Sequence, residues 1–216
     1  MNPILDPLPE AITVSGRDFS LDTDFRASIR FELMLLDPKI SPEKQALEAL
    51  RIYMPYLKLD TSAPDDATLY IARHAAETVE QLCRFYTGAD RPGRYGGKAA
   101  GRTPRLYDYE YDAAALCASF LAAYGIDLHK ARLHWWSFHD LFLSLPDDTA
   151  IRRIMRIRAA KCDGKTPPAE RKRIAALQRL YALPDRAAAA DRTRISRVEE
   201  ILLGDGDLRR LEADQD

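Results

Sequence analysis

The segment YDYEYDAAALCASFLAAYGIDLHKARLHWWSFHDLFLSL, residues 107–145, decides the fold of this 216-residue chain. Its first half predicts a helix, because apolar residues spaced by seven, four and three share one side of a 3.6-residue repeat: Tyr109, Leu116, Phe120 and Ala123. Gly125 predicts the end of that helix, since glycine readily takes the left-handed conformation of a helix C-terminus.

The second half predicts another helix, which would begin with Asp127 as its N-cap and end before Pro146. Both tryptophans of the protein, Trp135 and Trp136, are neighbours in it. Neighbouring side chains point about 100° apart on a helix. Either this helix is covered on two sides, or one indole faces a groove or a partner. Its expected inward residues are Leu133, Trp136, Leu141 and Leu145.

Upstream of this segment the sequence predicts a β-hairpin over residues 11–21, with a turn at Ser15-Gly16 and alternating apolar residues in its strands. Three helices should follow it, starting near Asp22 or Thr23, at Ser41-Pro42, and at Asp65 or Asp66, the last running to Tyr86. The expected inward residues of the first helix are Phe25, Ile29, Leu33 and Leu36, and those of the second are Leu47, Leu50 and Tyr53. Those of the third helix are Leu69, Ala72, Ala76, Val79, Leu82 and Tyr86.

Downstream, a helix should follow Thr149, with Ile151, Ile154 and Ile157 alternating with arginines. A charged helix after Pro168 would carry an apolar stripe of Ile174, Leu177, Leu180 and Tyr181. We therefore predict a mainly α fold of about six to eight helices with a small N-terminal β-hairpin. It would form one domain over residues 1–182, followed over 183–216 by a charged helical extension and a disordered acidic tail.

Residues 87–105 change the composition abruptly, with five glycines, two prolines and five basic residues against one acid. This pattern predicts a flexible loop. A phosphate-binding loop is not favoured, because Gly97-Lys98 is followed by Ala99 and no strand precedes it. A basic arm that contacts a protein or nucleic-acid partner and a simple solvated loop both stay open.

Composition favours a soluble protein of a reducing compartment. The formal net charge is −1, so no overall field would attract nucleic acid or an anionic membrane. Cys83, Cys117 and Cys162 lie far apart, each within an expected helix, and predict neither disulfides nor a zinc site. The N-terminus lacks the pattern of a signal peptide, and no apolar run is long enough for a membrane span.

No motif predicts an enzyme, a cofactor or a metal site. His129, His134 and His139 are five residues apart, so successive side chains leave a helix on different flanks, whereas metal pairs favour spacings of three or four. The sequence has no GxSxG motif and no cysteine with an arguable activating base. We expect no catalytic residues, no cofactor-binding residues and no metal ligands.

Several stretches, taken in order, resemble the bacteriophage gene-product-fifteen (Gp15) family. They include LDPLPEAITVSGRDFSLDTDFRASIRFE near the start, RLYDYEYDAAALCASFLAAYGIDL after the glycine-rich loop, LHWWSFHDLFLSLPDDTAIRRIMRIRAAK, and LQRLYALPD. The resemblance covers most of residues 3–185. Members of the family are encoded between the major tail protein and the tape measure protein of long-tailed phages.

The resemblance implies a role in tail assembly, most simply as a chaperone that coats the tape measure protein in the host cytoplasm and is absent from the virion. Partners would be the tape measure and other tail proteins, with self-association left open. The residues predicted to contact a partner are Trp135, Trp136, Phe138, Phe142, Tyr107, Tyr109 and Tyr111, each of which could instead pack the core. Alternatives are a structural component retained in the virion, or a nucleic-acid-binding module built from the Arg152–Arg158 helix and the 87–105 loop.

Overall fold

The computed structural model describes residues 5–60, 62–89, 105–163 and 166–184. These residues form two strands and eight helices: β1 (Ala11–Val14), β2 (Arg17–Ser20), α1 (Phe25–Leu35), α2 (Pro42–Tyr53), α3 (Asp66–Arg73), α4 (Ala75–Thr87), α5 (Ala113–Tyr124), α6 (Trp135–Leu143), α7 (Ala150–Ala159) and α8 (Pro168–Leu180). The predicted mainly α fold with a small N-terminal hairpin is confirmed, and the helices of the described residues lie within the predicted number.

The elements belong to two compact units. Among the described residues, the first unit contains 5–60, 62–89 and 133–137, and the second contains 105–132, 138–163 and 166–184. A compact unit need not fold on its own, so the predicted single domain over 1–182 stays a prediction. Most of the predicted 87–105 loop, and the predicted extension and tail from residue 185 onward, lie outside the described residues.

The hairpin of the first unit forms as predicted. Ser15 and Gly16 both have positive φ, 45° and 83°, which is the backbone required by a tight two-residue turn between twisted strands. Ile12 pairs with Phe19 across the strands, and both are buried. Glu77 of α4 holds the turn against the helix, since its carboxylate accepts hydrogen bonds from the Ser15 amide at 2.7 Å and the Ser15 hydroxyl at 2.5 Å. The hairpin therefore packs against a helix, as a two-stranded sheet requires.

The helix starts depend on short polar side chains. The predicted cap of α2 is confirmed, since Ser41 accepts from the Lys44 amide and Pro42 lies in the first turn. The predicted cap of α1 at Asp22 or Thr23 is wrong by one or two residues, because the Asp24 carboxylate accepts from the Arg26 amide. In place of Ile29 and Leu33, the inward side of α1 buries Phe25, Ala27, Ser28, Phe31 and Met34.

The predicted single helix from Asp65 or Asp66 to Tyr86 is wrong, because the chain breaks at His74 into α3 and α4. The Nδ1 atom of His74 lies 2.9 Å from the Tyr70 carbonyl, which a continuous helix would reserve for the His74 amide. That amide donates instead to Ile71. The break changes which side of each helix faces inward, so Leu69, Ala72 and Ala76 are exposed while Thr68, Ile71, Thr78, Leu82 and Phe85 are buried.

In the second unit the end of α5 is confirmed at Gly125, whose φ is 67° and whose amide returns to the Leu121 carbonyl. The predicted helix start at Asp127 is wrong. The Asp127 carboxylate accepts from the His129 amide and its carbonyl accepts from the Lys130 amide, so it closes a turn. Helix α6 begins eight residues later, at Trp135.

Helices α5, α7 and α8 are joined by side-chain hydrogen bonds to backbone groups. The Ser119 hydroxyl, inside α5, donates to the Ala115 carbonyl at 2.6 Å and accepts from the Ile151 amide at the start of α7. Gln178 of α8 donates to the carbonyls of Ile157 and Ala160 at the end of α7. These bonds satisfy groups that a helix leaves open at its ends.

Some predicted inward positions in these helices are exposed. Leu47 of α2 and Leu180 of α8 are 37% and 72% accessible, and α8 has no fully buried residue. Such a thin apolar stripe gives α8 little hydrophobic stabilisation.

Candidate functional site

The paired tryptophans lie in the core of the first unit. The indole of Trp135 donates a hydrogen bond to the Tyr86 carbonyl, and the indole of Trp136 donates to the Phe85 carbonyl, both at 2.8 Å. Each indole also stacks on the ring of the same residue, at centroid distances of 5.3 Å for Tyr86 and 5.9 Å for Phe85. The two indoles therefore bind consecutive residues at the end of α4.

The start of α6 is fixed by its neighbours in the same unit. The Trp135 amide donates to the Thr23 carbonyl, and the Leu133 carbonyl accepts from the Phe25 amide, so that residues 23–25 and 133–135 form an antiparallel bridge. Nδ1 of His134 accepts from the Trp136 amide and thereby caps α6. Since Nδ1 is an acceptor, Nε2 carries the proton that is donated to the Pro9 carbonyl at 3.0 Å.

Both tryptophan side chains are almost completely buried. Trp135 is 2% exposed and Trp136 is 4% exposed. Both indole N–H groups are satisfied inside the unit, as buried indoles require. The tryptophans pack the core in this structure, and the contact with a partner predicted for them stays a prediction.

A second aromatic cluster fills the core of the second unit. Phe138 stacks on Phe120 of α5 with centroids 5.1 Å apart and ring planes 7° apart. Phe142 lies against Tyr107 at 4.9 Å and against Tyr109 at 6.4 Å. Phe138, Phe142 and Tyr109 are buried, and Tyr107 is half-buried. These four predicted contact residues therefore also serve packing.

Tyr111 differs from the other six predicted contact residues, since 60% of its side chain is exposed. It lies in a turn immediately before α5, in which the Asp112 amide donates to the Asp108 carbonyl. The prediction that partners are contacted through aromatic residues stays a prediction, and Tyr111 is the member of the set with an accessible ring.

A buried ionic cluster was missed by the sequence analysis. Asp112 and Arg158 form a two-pronged ion pair with N–O distances of 2.6 and 2.9 Å, at 5% and 9% side-chain exposure. Arg158 also donates to the carbonyls of Leu106 and Tyr181, at 2.8 and 2.7 Å. One guanidinium thus joins the segment before α5, helix α7 and the end of α8.

The same cluster continues through Asp108, which is fully buried. Its carboxylate accepts from the amides of Glu110 and Tyr111, and it lies 2.6 Å from the Arg105 guanidinium. Arg158 could have been found from the sequence, because it follows the buried Ile151 by seven residues and so falls on the apolar side of α7.

The arginine-rich helix offers less to a phosphate than its sequence indicates. Arg158 is used in the buried pair, and Arg152 lies 3.5 Å from the Asp147 carboxylate. Arg156 donates to the Asp147 carbonyl. Two of the four arginines, Arg153 and Arg156, are exposed. The predicted nucleic-acid alternative therefore has a smaller cationic face than four arginines would provide.

Two histidines, His74 and His134, make hydrogen bonds with the backbone. His74 and His134 each contact a main-chain carbonyl through a ring nitrogen, at 2.9 and 3.0 Å. Within the described ranges, no group of three or more His, Cys, Asp or Glu side chains is arranged to hold a metal ion. Among the helices that the structure describes, none combines the length and the apolar character needed to cross a bilayer.

The three cysteines occupy different environments. Cys83 in α4 and Cys117 in α5 are half-buried, and all three thiols are free. The expectation that Cys162 lies within a helix is wrong, because it follows the end of α7 and is exposed. Burial, with a smaller effect of the nearby Glu80 carboxylate, raises the pKa of Cys83 to about 11.

We expect thiol reagents to modify Cys162 much faster than Cys83 at pH 8. The thiolate is the reactive form, and a pKa of about 11 leaves only a small thiolate fraction at Cys83. Iodoacetamide labelling followed by peptide mass spectrometry would give the rate at each cysteine. In concentrated guanidinium chloride the rates should converge, and equal rates at pH 8 in the folded protein would contradict the raised pKa of Cys83.

Comparison with known proteins identifies the family. The family model described as Bacteriophage Gp15 protein matches residues 4–183. The chain belongs to the Bacteriophage Gp15 protein family. The resemblance found in the sequence is confirmed, and this Gp15 family member is a phage protein. No curated protein and no solved structure matches the chain.

Proposed function

We propose that this Gp15 family protein is a tail-assembly chaperone that binds the tape measure protein in the host cytoplasm and is absent from the mature virion. The observation that carries the proposal is the family match over residues 4–183. The resemblance implies a gene position beside the tape measure gene. A tape measure is a very long helix whose apolar surface would aggregate if it were left bare.

The surface of the described residues supports a binding role. Large apolar side chains that are at least half exposed occur in both units, at Leu5 in the first and at Tyr111, Leu121, Leu143 and Leu180 in the second. Exposed apolar side chains of this size are available for contact with a partner protein. A helical partner would bury such anchors at helical spacing.

We also propose that the protein binds its partner without catalysing a reaction. Three acidic or imidazole groups are used within the fold: Asp112 pairs with Arg158, and the rings of His74 and His134 contact backbone carbonyls. Groups held in this way have a structural role that accounts for their burial.

Co-expression with the tape measure gene of the same phage tests the proposal. We expect the tape measure protein to be soluble with this protein and insoluble without it, because the chaperone covers its apolar stripe. The measurement is the soluble fraction of the tape measure after centrifugation, and expression of the tape measure gene without this protein provides the negative control.

Two outcomes would contradict the proposal. One is a tape measure whose soluble fraction does not depend on this protein. The other is a stoichiometric amount of this protein in purified virions, measured by mass spectrometry, which would make it a structural component of the tail.

A further inference from the structure

Helix α8 is packed more weakly than its neighbours in the second unit. None of its side chains is fully buried, whereas α5 and α7 each bury at least one. Residues 168–173 are exposed throughout, and Leu180 near the end of the helix is 72% accessible. Burial of apolar surface therefore contributes little to holding α8 in place. Its half-buried side chains are Ile174, Ala175, Leu177 and Gln178.

Helix α8 also has little stability of its own. It contains 13 residues, and isolated helices shorter than about 12–15 residues are marginal in water. Its N-cap position is Pro167, which makes no side-chain hydrogen bond to the helix, in contrast to Ser41 at the start of α2. The helix therefore depends on its contact with α7 to stay folded.

Three hydrogen bonds from side chains to carbonyls join the end of α8 to the end of α7. The Gln178 side-chain amide donates to the carbonyls of Ile157 and Ala160, at 3.2 and 2.8 Å. Nε of Arg158 donates to the Tyr181 carbonyl at 2.7 Å. These bonds lie at the C-terminal end of α8, while the exposed residues 168–173 form its first half.

This attachment can open without breaking the buried ionic cluster. Arg158 reaches Tyr181 through Nε, whereas its two terminal nitrogens hold the Asp112 carboxylate and the Leu106 carbonyl. Release of α8 therefore removes one hydrogen bond of Arg158 and leaves its ion pair with Asp112 intact. The guanidinium stays in place as a donor to which the end of α8 can return.

Water can replace the hydrogen bonds that α8 loses on opening. The carbonyls of Ile157 and Ala160 lie at the end of α7, where a helix leaves carbonyl groups open to other donors. An exchange of protein donors for water has a small net cost for each bond. Opening of α8 should therefore cost much less free energy than unfolding the second unit, whose core is filled by Phe120, Phe138 and Phe142.

We propose that residues 168–181, which we call the α8 strap, open and close on the second unit as a separate element. Gln178 holds the strap closed, and α5, α7 and the pair of Asp112 with Arg158 stay folded when it opens. Opening uncovers the C-terminal end of α7. Proteins open in local units of this kind at free energies well below that of global unfolding. The motion belongs to the chain itself and does not depend on the proposed function.

Native-state hydrogen exchange of the full-length protein tests this opening. Exchange is followed by mass spectrometry of peptides from α8 and α5, at guanidinium chloride concentrations below the unfolding transition. We expect the α8 amides to exchange at least about a hundredfold faster than those of α5, because a local opening costs less than global unfolding. The α8 rate should change little with denaturant, since a local opening exposes little surface, whereas the α5 rate should rise steeply.

The variant Gln178→Ala tests whether Gln178 holds the strap closed. We expect the α8 amides of this variant to exchange at least about fivefold faster, because two hydrogen bonds to α7 are lost. Alanine favours a helix at least as much as glutamine, so helix propensity cannot cause a faster exchange. The α5 amides should keep their wild-type rate, which also shows that the variant is folded.

Arg173→Ala is the matched control, since Arg173 is an exposed residue of the same helix. It should leave the exchange rates of both α8 and α5 within about twofold of the wild type. A fivefold increase in this control would mean that any truncation in α8 speeds its exchange, and the role of Gln178 would be refuted.

Three further results would overturn the proposal. If α8 and α5 exchange at one rate with one denaturant dependence, the strap opens only when the whole unit unfolds. If the wild-type α8 amides exchange as fast as those of an unfolded chain, the strap is not held closed. If wild type and Gln178→Ala have equal α8 rates, the hydrogen bonds of Gln178 do not hold it.

Discussion

Arg158→Met is expected to lower the free energy of unfolding by about 3–5 kcal/mol, the usual result of removing one partner from a buried ion pair. The methionine would leave the Asp112 carboxylate, 5% exposed, without its counter-charge. It would also remove the donors that reach the Leu106 and Tyr181 carbonyls. Urea unfolding followed by circular dichroism would measure the loss. Asp112→Asn should also lower the free energy of unfolding.

Two variants test whether the loss of stability is specific to the buried guanidinium of Arg158. Arg152→Met removes an exposed contact to Asp147 and should change stability by less than about 1 kcal/mol. Arg158→Lys keeps the charge, but a single ammonium cannot reproduce a planar group that serves both Asp112 oxygens and two carbonyls. A lysine variant as stable as the wild type would show that charge alone holds this cluster together.

Local signals predicted those parts of the fold that depend on nearby residues. The Ser15-Gly16 turn was predicted because the backbone of a two-residue hairpin demands such residues, and it formed. The Ser41 cap followed by Pro42, and the left-handed Gly125, were found for the same reason. In each case the required conformation and its hydrogen bonds lie within a few residues of chain.

One contact between distant residues and two local side-chain conformations account for three features that the sequence did not predict. Helix α6 begins at Trp135 because that amide binds the Thr23 carbonyl, more than a hundred residues away in the chain. Asp127 carries the residue type of a helix cap, yet it closes a turn. The break at His74 depends on where one imidazole points, and periodicity carries no information about that.

The predicted contact residues illustrate a related limit. Large aromatic residues are favoured both in cores and in binding sites, so the identity of Trp135 or Phe138 did not decide between the two. In this structure both side chains are buried in packed cores, and their contact with a partner stays a prediction.

Trp136→Ala is expected to destabilise the protein by about 3–5 kcal/mol, as for other large core aromatics. The change would empty the space beside the Phe85 ring and remove the indole hydrogen bond to the Phe85 carbonyl. Chemical denaturation followed by circular dichroism is the suitable measurement, because the mutation also removes one of the two tryptophans that a fluorescence measurement would follow.

The variants Trp136→Phe and Leu121→Ala are the controls for this prediction. Phenylalanine keeps most of the packing, and the Phe85 carbonyl keeps the Gly88 amide as a donor, so the loss should be about 1–2 kcal/mol. Truncation of Leu121, which is 55% exposed in α5, to alanine should lower the free energy of unfolding by less than about 0.5 kcal/mol. If Trp136→Ala instead kept full stability and lost only binding, the indole would belong to the contact surface and the core role described for it would be wrong.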